Sequence, residues 1–230
     1  MIKTIFFDLD DTLLDFTRSE ASALRRALME AGAPAEQEVL DRYHVINQRQ
    51  WELLEEGVLT REQVKSRRFH ILFAELGISC VKVETVKDRY EKYLAEGRWL
   101  LPGAEELLKE LAPRYRLCLA SNGSAAIQYS RLKLAGIGHY FDRIFISEEL
   151  GANKPDKAFF DRCFEALPEV DTAEILMVGD SLTSDIRGGR NAGIRTCWFN
   201  PHGKPAGTNI RPDHTITALE QLPALLARIG

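Results

Sequence analysis

The chain has 230 residues, enough to bury a full hydrophobic core, either as one domain with a large insertion or as two domains. Its net charge of -4 argues against a protein that binds nucleic acid polymers, which would carry a basic face. No apolar run approaches the ~20 residues that span a bilayer, so no membrane partner is expected. The 4 cysteines are far apart, without a C-x-x-C pair, and predict a reduced, cytoplasmic protein.

The first predicted element is a buried strand over residues 2–7, which runs directly into an acidic stretch. This stretch contains Asp8, Asp10 and Asp11. Burying carboxylates beside a core strand is costly unless a positive charge compensates them. Two acids at positions i and i+2 of a strand end can reach the same small ligand. We therefore predict that Asp8 is a nucleophile, that Asp10 transfers a proton, and that a divalent cation holds both residues.

The next segment, residues 16–97, has the pattern of an all-helical domain, without a convincing strand. Two of its helices are preceded by sequences typical of capping boxes, Thr17 to Glu20 and Thr60 to Gln63. The predicted helices cover residues 17–31, 36–56, 60–76 and 83–96.

From residue 101 onward, predicted strands alternate with helices of ~10–15 residues, which is typical of a doubly wound parallel sheet. The predicted strands are 115–120, 143–147, 175–179, 195–199 and 214–217, and the helices are 104–111, 124–134, 156–167, 183–192 and 219–228. The predicted fold class is α/β, with a doubly wound, mainly parallel, Rossmann-like core formed by residues 1–15 and 98–230. An all-helical cap, residues 16–97, is inserted after the first strand.

Polar residues follow several of these strands. In open α/β sheets, ligands bind beyond the carboxyl ends of the strands. The polar groups at or just past such ends are Asp8, Asp10, Ser121, Lys154, Asp180 and Asp185. A carboxylate, a hydroxyl and an ammonium group together suit phosphoryl transfer. Because a carboxylate and a phosphate repel each other, attack needs a cation, and Mg2+ prefers oxygen ligands.

These residue types predict distinct roles. Asp8 would attack phosphorus and form an aspartyl-phosphate. Asp10 would protonate the leaving alcohol and then deprotonate the water that cleaves the intermediate. Mg2+ would be held by the carboxylates of Asp8 and Asp180 and by the backbone carbonyl of Asp10.

The remaining polar residues would bind the phosphate. Lys154, the Ser121 hydroxyl and the N–H groups near Asn122 would hold the transferring oxygens. Asp185 would bind neither the metal nor the phosphate directly, but would orient Lys154 or a metal-bound water.

Over its whole length the chain resembles the haloacid dehalogenase (HAD) superfamily of phosphatases. The motifs that carry this resemblance are Asp8-Leu9-Asp10-Asp11-Thr12, Ser121-Asn122-Gly123, Lys154-Pro155, and Gly179-Asp180-Ser181 through Asp185. The resemblance implies the same residue roles, Mg2+ as cofactor, and a helical insertion in the type-one cap position. Ser121 stands where the family often has threonine, and both residues offer a hydroxyl.

Within the superfamily the chain most resembles bacterial pyrimidine 5'-nucleotidases. The resemblance rests on residues 14–16, 47–51, 56–57, 68–69, 146–149 and 196–198. It implies a small-molecule phosphomonoester as substrate, namely a nucleoside 5'-monophosphate with pyrimidine preference. Phe16 or Trp51 could stack on a base, Asn47 could pair with a pyrimidine edge, and Arg68 could meet a ribose or phosphate. Each of these four side chains could instead belong to the interior or the surface of the cap.

Other reactions fit the same motifs. A capped phosphatase could act on a sugar phosphate or on phosphoglycolate, and a phosphomutase would return the phosphoryl group to its substrate. A 2-haloacid dehalogenase needs an aspartate nucleophile but no Mg2+, so Asp10 and Asp180 count against it. The intact acidic set disfavours a non-enzymatic binding protein that has retained the fold.

Overall fold

The chain forms two compact units in a computed structural model that describes residues 1–206 and 209–229. Met1–Asp15 and the chain from Leu100 onward form the core unit, and Phe16–Trp99 forms the cap. The sequence placed the return to the core unit at residue 98, slightly before Leu100.

A 6-stranded sheet with the order β3-β2-β1-β4-β5-β6 organises the core unit. The strands are β1 (Thr4–Phe7), β2 (Arg116–Ser121), β3 (Arg143–Ile146), β4 (Ile175–Gly179), β5 (Arg195–Phe199) and β6 (His214–Ile216). Each pairing among these described strands is parallel. The order makes β1 central, with Phe7 opposite Leu119 of β2 and Val178 of β4. The predicted fold class is therefore confirmed.

Side chains of β1 alternate between two apolar clusters, as the two-residue period of a strand requires. Ile5 and Phe7 belong to one cluster, together with Val178. Phe6 belongs to the other cluster, together with Met177. Both faces of the central strand are thus buried, which explains why its sequence is continuously apolar.

The cap is built from helices alone, because residues 16–99, all of which are described, contain no β-strand. Its helices are α1 (Phe16–Ala31), α2 (Gln37–Glu55), α3 (Arg61–Leu76) and α4 (Val83–Leu94). The predicted capping box at Thr60 is confirmed, because its side chain accepts the Gln63 N–H while the Gln63 side chain accepts the Thr60 N–H. The capping box predicted at Thr17 was wrong, since α1 already begins at Phe16. Asp15, a residue type favoured at N-caps, precedes this first helical residue.

The core unit adds helices that flank the sheet. They are α5 (Ala104–Leu111), α6 (Ala125–Ala135), α7 (Ser147–Leu150), α8 (Lys157–Glu165), α9 (Arg187–Asn191) and α10 (Leu222–Ile229). The single-turn α7 was not predicted, because four residues are too few to show a helical period. Among the described residues, no helix combines the length and the apolar character needed to cross a membrane.

The helix predicted over 183–192 is divided into two parts. A π-helical turn, Leu182–Ile186, leads into the short α9. Ser181 caps the start of this turn, because its Oγ accepts the Ser184 N–H at 3.1 Å. A Cβ atom on Gly189 would lie 2.7 Å from Cγ2 of Thr196, so the helix packs closely on the sheet at this glycine.

Candidate active site

The site begins where β1 ends. The N–H of Asp8 donates to the carbonyl of Val178 at 2.9 Å, so the parallel pairing continues one residue past the strand and fixes the Asp8 backbone. Its side chain meets the buried ammonium group of Lys154. Nζ of Lys154 donates to Asp8 Oδ1 at 2.7 Å, to Asp185 Oδ1 at 2.6 Å and to the Ala120 carbonyl at 2.6 Å. All three donors of the ammonium group are therefore satisfied.

Asn122 fixes the backbone that carries Lys154. Its Oδ1 accepts the Lys154 N–H at 2.8 Å, and its Nδ2 donates to the Lys154 carbonyl at 2.8 Å and to Ser184 Oγ at 3.2 Å. The Lys154-Pro155 peptide bond is cis. The side chain of Asn122 thus positions Lys154, and phosphate binding by Asn122 stays a prediction for its backbone.

Asp180 completes a cluster of carboxylates. Asp8, Asp180 and Asp185 each place one oxygen within 4.8 Å of the others. The N–H of Asp180 donates to Thr12 Oγ1 at 3.1 Å, and Nε1 of Trp198 donates to the Asp180 carbonyl at 2.8 Å. These two hydrogen bonds hold the Asp180 backbone on both sides. The position at the end of β4 from which its carboxylate extends is therefore fixed.

Asp185 is anchored by the turn that follows β4. Its second oxygen accepts the Ser181 N–H at 3.0 Å. A Cβ atom on Gly179 would lie 2.2 Å from Asp185 Oδ2, so a side chain at that position would displace the carboxylate. In the Gly-Asp-Ser motif, the glycine therefore leaves room for the carboxylate of Asp185, and the serine N–H holds that carboxylate in place.

The cluster has more negative than positive charge. Burial raises the pKa of Asp8 to about 7, against the opposing effect of Lys154 and with a contribution from Asp185 and Asp10. Burial, followed by the charges of Asp8 and Asp185, also raises the pKa of Asp180 well above its usual range. Burial by itself would lower the pKa of Lys154, but the two neighbouring carboxylates raise it. Close, hard oxygen donors with excess negative charge fit a small divalent cation such as Mg2+.

Asp10 contacts helix α6 instead. Its Oδ2 accepts a hydrogen bond from Nε2 of Gln128 at 2.7 Å, and its Oδ1 accepts one from Nη1 of Arg131. Nε2 of Gln128 also donates to Oγ of Ser121 at 2.8 Å, so the glutamine links two predicted catalytic residues. Neither Gln128 nor Arg131 was predicted from the sequence to belong to the site. Their i, i+3 spacing on the helix after the Ser-Asn-Gly motif was the available signal, and it also occurs on ordinary solvated helix faces.

Two of the four cap residues predicted to contact a substrate are buried in a network inside the cap. Nδ2 of Asn47 donates to Oε1 of Glu20 at 2.6 Å, and Nη1 of Arg68 donates to Oδ1 of Asn47 at 2.8 Å. The aromatic rings near the Arg68 guanidinium are those of Tyr43, Phe69 and Tyr90. This Glu20–Asn47–Arg68 network accounts for the burial of both residues, and their contact with a substrate stays a prediction.

The other two, Phe16 and Trp51, are half-buried. Phe16 is the first residue of α1, and Trp51 lies near the end of α2. Both keep part of their aromatic surface accessible within the cap, and their role in stacking on a base also stays a prediction.

Comparison with known proteins identifies the family. A model of haloacid dehalogenase-like hydrolases matches residues 2–193. The HAD-hydrolase YfnB of Bacillus subtilis is 39% identical over 97% of this chain and 95% of its own length. The pyrimidine 5'-nucleotidase PynA of Streptococcus pneumoniae is 38% identical over 96% and 93%. The pyrimidine 5'-nucleotidase YjjG of Escherichia coli is 34% identical over 97% of each chain.

A crystal structure of YfnB bound to magnesium covers 98% of both chains with a TM-score of 0.93. Its fold is thus shared along nearly the entire chain. The resemblance inferred from the four motifs is confirmed, including the similarity to pyrimidine 5'-nucleotidases. The chain belongs to the haloacid dehalogenase-like hydrolases.

Proposed function

We propose that this hydrolase is a Mg2+-dependent phosphatase that releases phosphate from nucleoside 5'-monophosphates, with a preference for pyrimidine bases. The observation that carries the proposal is the cluster of the carboxylates of Asp8, Asp180 and Asp185, two of which pair with the buried ammonium group of Lys154. Two of the relatives described above are pyrimidine 5'-nucleotidases. The 4 cysteines are free thiols, which supports a reducing compartment such as the cytoplasm.

Asp8 is the proposed nucleophile. A bond forms between one of its carboxylate oxygens and phosphorus, while the bond between phosphorus and the 5'-oxygen of the nucleoside breaks. The product is an aspartyl-phosphate, which water then hydrolyses. Lys154 already donates to Oδ1 of Asp8, so it orients the carboxylate and is placed to neutralise charge on the transferring phosphoryl group. Asp185 holds the same ammonium group from its other side.

The carboxylates of Asp8 and Asp180, with the backbone carbonyl of Asp10, would hold Mg2+. When bound, the cation supplies the positive charge that reduces repulsion between carboxylate and phosphate. The raised pKa of Asp8 supports this role, because a buried carboxylate with other carboxylates close by retains its proton unless a cation is near.

Asp10 is the proposed acid and base. It gives a proton to the leaving 5'-oxygen and later accepts one from the water that attacks the aspartyl-phosphate. The Ser121 hydroxyl and the backbone near Asn122 bind oxygens of the transferring group. The contact between Ser121 and Gln128 places this hydroxyl in the same hydrogen-bonded group as Asp10.

The cap would recognise the leaving nucleoside. Phe16 and Trp51 are half-buried, and their aromatic rings would be the side chains that stack on a base. Asn47 and Arg68 would have to exchange partners first, since each already bonds within the buried network of the cap. Asn47→Ala therefore separates the roles: a raised KM for nucleotides at unchanged stability would indicate direct substrate contact.

Phosphate release from a substrate panel tests the proposal. The panel contains UMP, dTMP, CMP, AMP and GMP together with sugar phosphates and phosphoglycolate, each with Mg2+ and with EDTA. We expect kcat/KM for pyrimidine nucleotides to exceed that for the others by at least about tenfold, with activity lost in EDTA and restored by Mg2+.

Three outcomes would overturn the proposal. Preference for a sugar phosphate or phosphoglycolate would leave a phosphatase with another substrate. Phosphoryl transfer to a second sugar hydroxyl without free phosphate would indicate a mutase. Halide release from 2-haloacids in EDTA would indicate a dehalogenase.

A further inference from the structure

We propose that Gln128 and Arg131 of helix α6 are positioning residues that fix the carboxyl group of Asp10 for proton transfer to the leaving oxygen. The inference rests on the proposed role of Asp10 as acid and base. It goes beyond that role by assigning the control of Asp10 to a helix that carries none of the four motifs.

A ring of hydrogen bonds connects the three side chains. Arg131 Nη1 contacts Oδ1 of Asp10 and donates to Oε1 of Gln128 at 2.9 Å, while Gln128 Nε2 donates to Oδ2 of Asp10 at 2.7 Å. Because the two oxygens of Asp10 bind two different side chains, rotation of its carboxyl plane would break both contacts. Asp10 is therefore held in one rotamer and one plane.

Arg131 also fixes the orientation of the Gln128 amide. A guanidinium group has only donors, so the amide oxygen must face Arg131 and the NH2 group must face Asp10. The same NH2 group donates to Ser121 Oγ at 2.8 Å. The ring thus sets the position of Asp10 relative to the hydroxyl that is proposed to bind the phosphoryl group.

The arginine of this ring is more deeply buried than the aspartate, as expected if the arginine holds the aspartate in place. The side chain of Arg131 is 1% exposed and that of Asp10 is 29% exposed. A buried guanidinium needs a charged partner, which ties its place to Asp10. Each carboxylate oxygen has a second lone pair, so Asp10 can bind α6 and still meet a substrate oxygen or a water.

The Ser-Asn-Gly motif makes room for this arrangement. A Cβ atom on Gly123 would lie 2.4 Å from Nε2 of Gln128, so a side chain at this position would displace the amide. The glycine that follows Ser121 and Asn122 therefore leaves the space in which the side chain of Gln128 lies when it contacts Asp10.

The test compares single-turnover release of two leaving groups under saturating Mg2+. A nucleoside alkoxide needs a proton as it departs, whereas p-nitrophenolate departs without one. We expect Gln128→Met and Arg131→Met to slow nucleoside release by roughly 100-fold, the effect of a misplaced catalytic group, at nearly unchanged KM. Release of p-nitrophenolate should change several times less.

Four further variants complete the set. Arg131→Lys keeps the charge and should recover part of the lost rate. Lys133→Gln removes an exposed cation from the same helix and should behave as the unmodified enzyme. Asp10→Asn, alone and combined with Gln128→Met, gives a double-mutant cycle in which the second change should have almost no further effect, because Gln128 acts through Asp10.

Gln128→Met leaves no buried charge unpaired, so it tests the inference even if Arg131→Met fails to fold. Equal losses for both leaving groups, or additive losses in the cycle, would show a merely structural role and overturn the inference. If Asp10→Asn itself released the nucleoside at the unmodified rate, the proposed role of Asp10 would fail instead. The two failures are therefore distinguishable.

Discussion

The core unit and the cap each contain a buried polar network, and the two networks differ in charge balance. In the core unit, three carboxylates lie close together, and two of them pair with the ammonium group of Lys154. In the cap, the carboxylate of Glu20 and the guanidinium of Arg68 are joined through the amide of Asn47. Glu20 also contacts Nδ1 of His44 at 2.7 Å. The acid of the cap network therefore has basic partners, whereas the core network keeps an excess of negative charge.

This difference separates two reasons for burying polar groups. A balanced network meets the ordinary condition for polar residues inside a helical domain. The core network does not meet it: burial first, and the neighbouring carboxylates in addition, raise the pKa values of Asp8 and Asp180. An excess of negative charge is costly for folding but useful for binding a cation. Buried carboxylates without enough positive charge therefore indicate the functional site.

The largest expected effect follows from removing the nucleophile of the core network. Asp8→Asn preserves the shape of the side chain but removes the attacking oxygen, so steady-state phosphate release should fall by roughly a million-fold, as in other nucleophile variants. Asp161→Asn, which removes an exposed acid paired with Lys157, should retain full activity. A rate for Asp8→Asn within about tenfold of the unmodified enzyme would exclude Asp8 as nucleophile.

Cation binding should stabilise the core network. At about 100 times its Kd, Mg2+ should add about 2.7 kcal/mol to the free energy of unfolding, measured by calorimetry as a rise in Tm. Asp180→Asn should remove most of this rise, while Asp161→Asn should keep it. An unchanged Mg2+ response in Asp180→Asn would place the cation outside the carboxylate cluster.

The cap network should respond through stability. Glu20→Gln leaves a buried network without its anion and should lower the free energy of unfolding in urea by about 1–3 kcal/mol. Glu75→Gln is the matched control in the same domain, because Glu75 pairs with Arg42 at the surface, and it should leave the free energy of unfolding almost unchanged. If Glu20→Gln altered nucleotide selectivity without loss of stability, the proposed difference between the two networks would be wrong. The cap network would then be assigned to substrate recognition.

The smallest expected effect is the pH dependence of Mg2+ binding. A raised pKa favours the protonated form, so below the Asp8 pKa of about 7 a proton competes with the cation. Mg2+ affinity should therefore fall as pH decreases through 7, by up to about tenfold (about 1.4 kcal/mol) per pH unit. Calorimetric titration at several pH values measures this, and Asp8→Asn should give a flatter profile. Stronger binding at low pH would have the wrong sign.

The sequence predicted the assembly of the core site because one rule connects distant positions. Parallel strands share an edge at their carboxyl ends, so Asp8, Lys154 and Asp180 could be expected to meet although they lie far apart in the chain. Asp8 and Asp180 directly follow apolar runs short enough to be recognised as strands, whereas α7 separates Lys154 from the end of β3.

No such rule predicts the ring on α6 or the network in the cap. Gln128 and Arg131 have the spacing of neighbours on any helix surface, and their burial depends on what α6 packs against. Glu20, Asn47 and Arg68 come from three different helices, so their contacts depend on helix packing that periodicity does not specify. Local patterns thus predicted where elements end, while contacts between helix faces required the structure.

The chain leaves and re-enters the core unit at two residues that pair with each other. Leu14 and Leu100 form an antiparallel bridge, and the N–H of Leu101 donates to the carbonyl of Leu13 at 2.9 Å. The two ends of the cap insertion therefore lie about 5 Å apart, which is the spacing of paired strands. Segments of different length can be exchanged at this junction without stretching the sheet, because the core unit has to close only a short gap. Recombination at this junction would replace the cap, which we propose to recognise the leaving nucleoside, and would leave the carboxylate cluster intact.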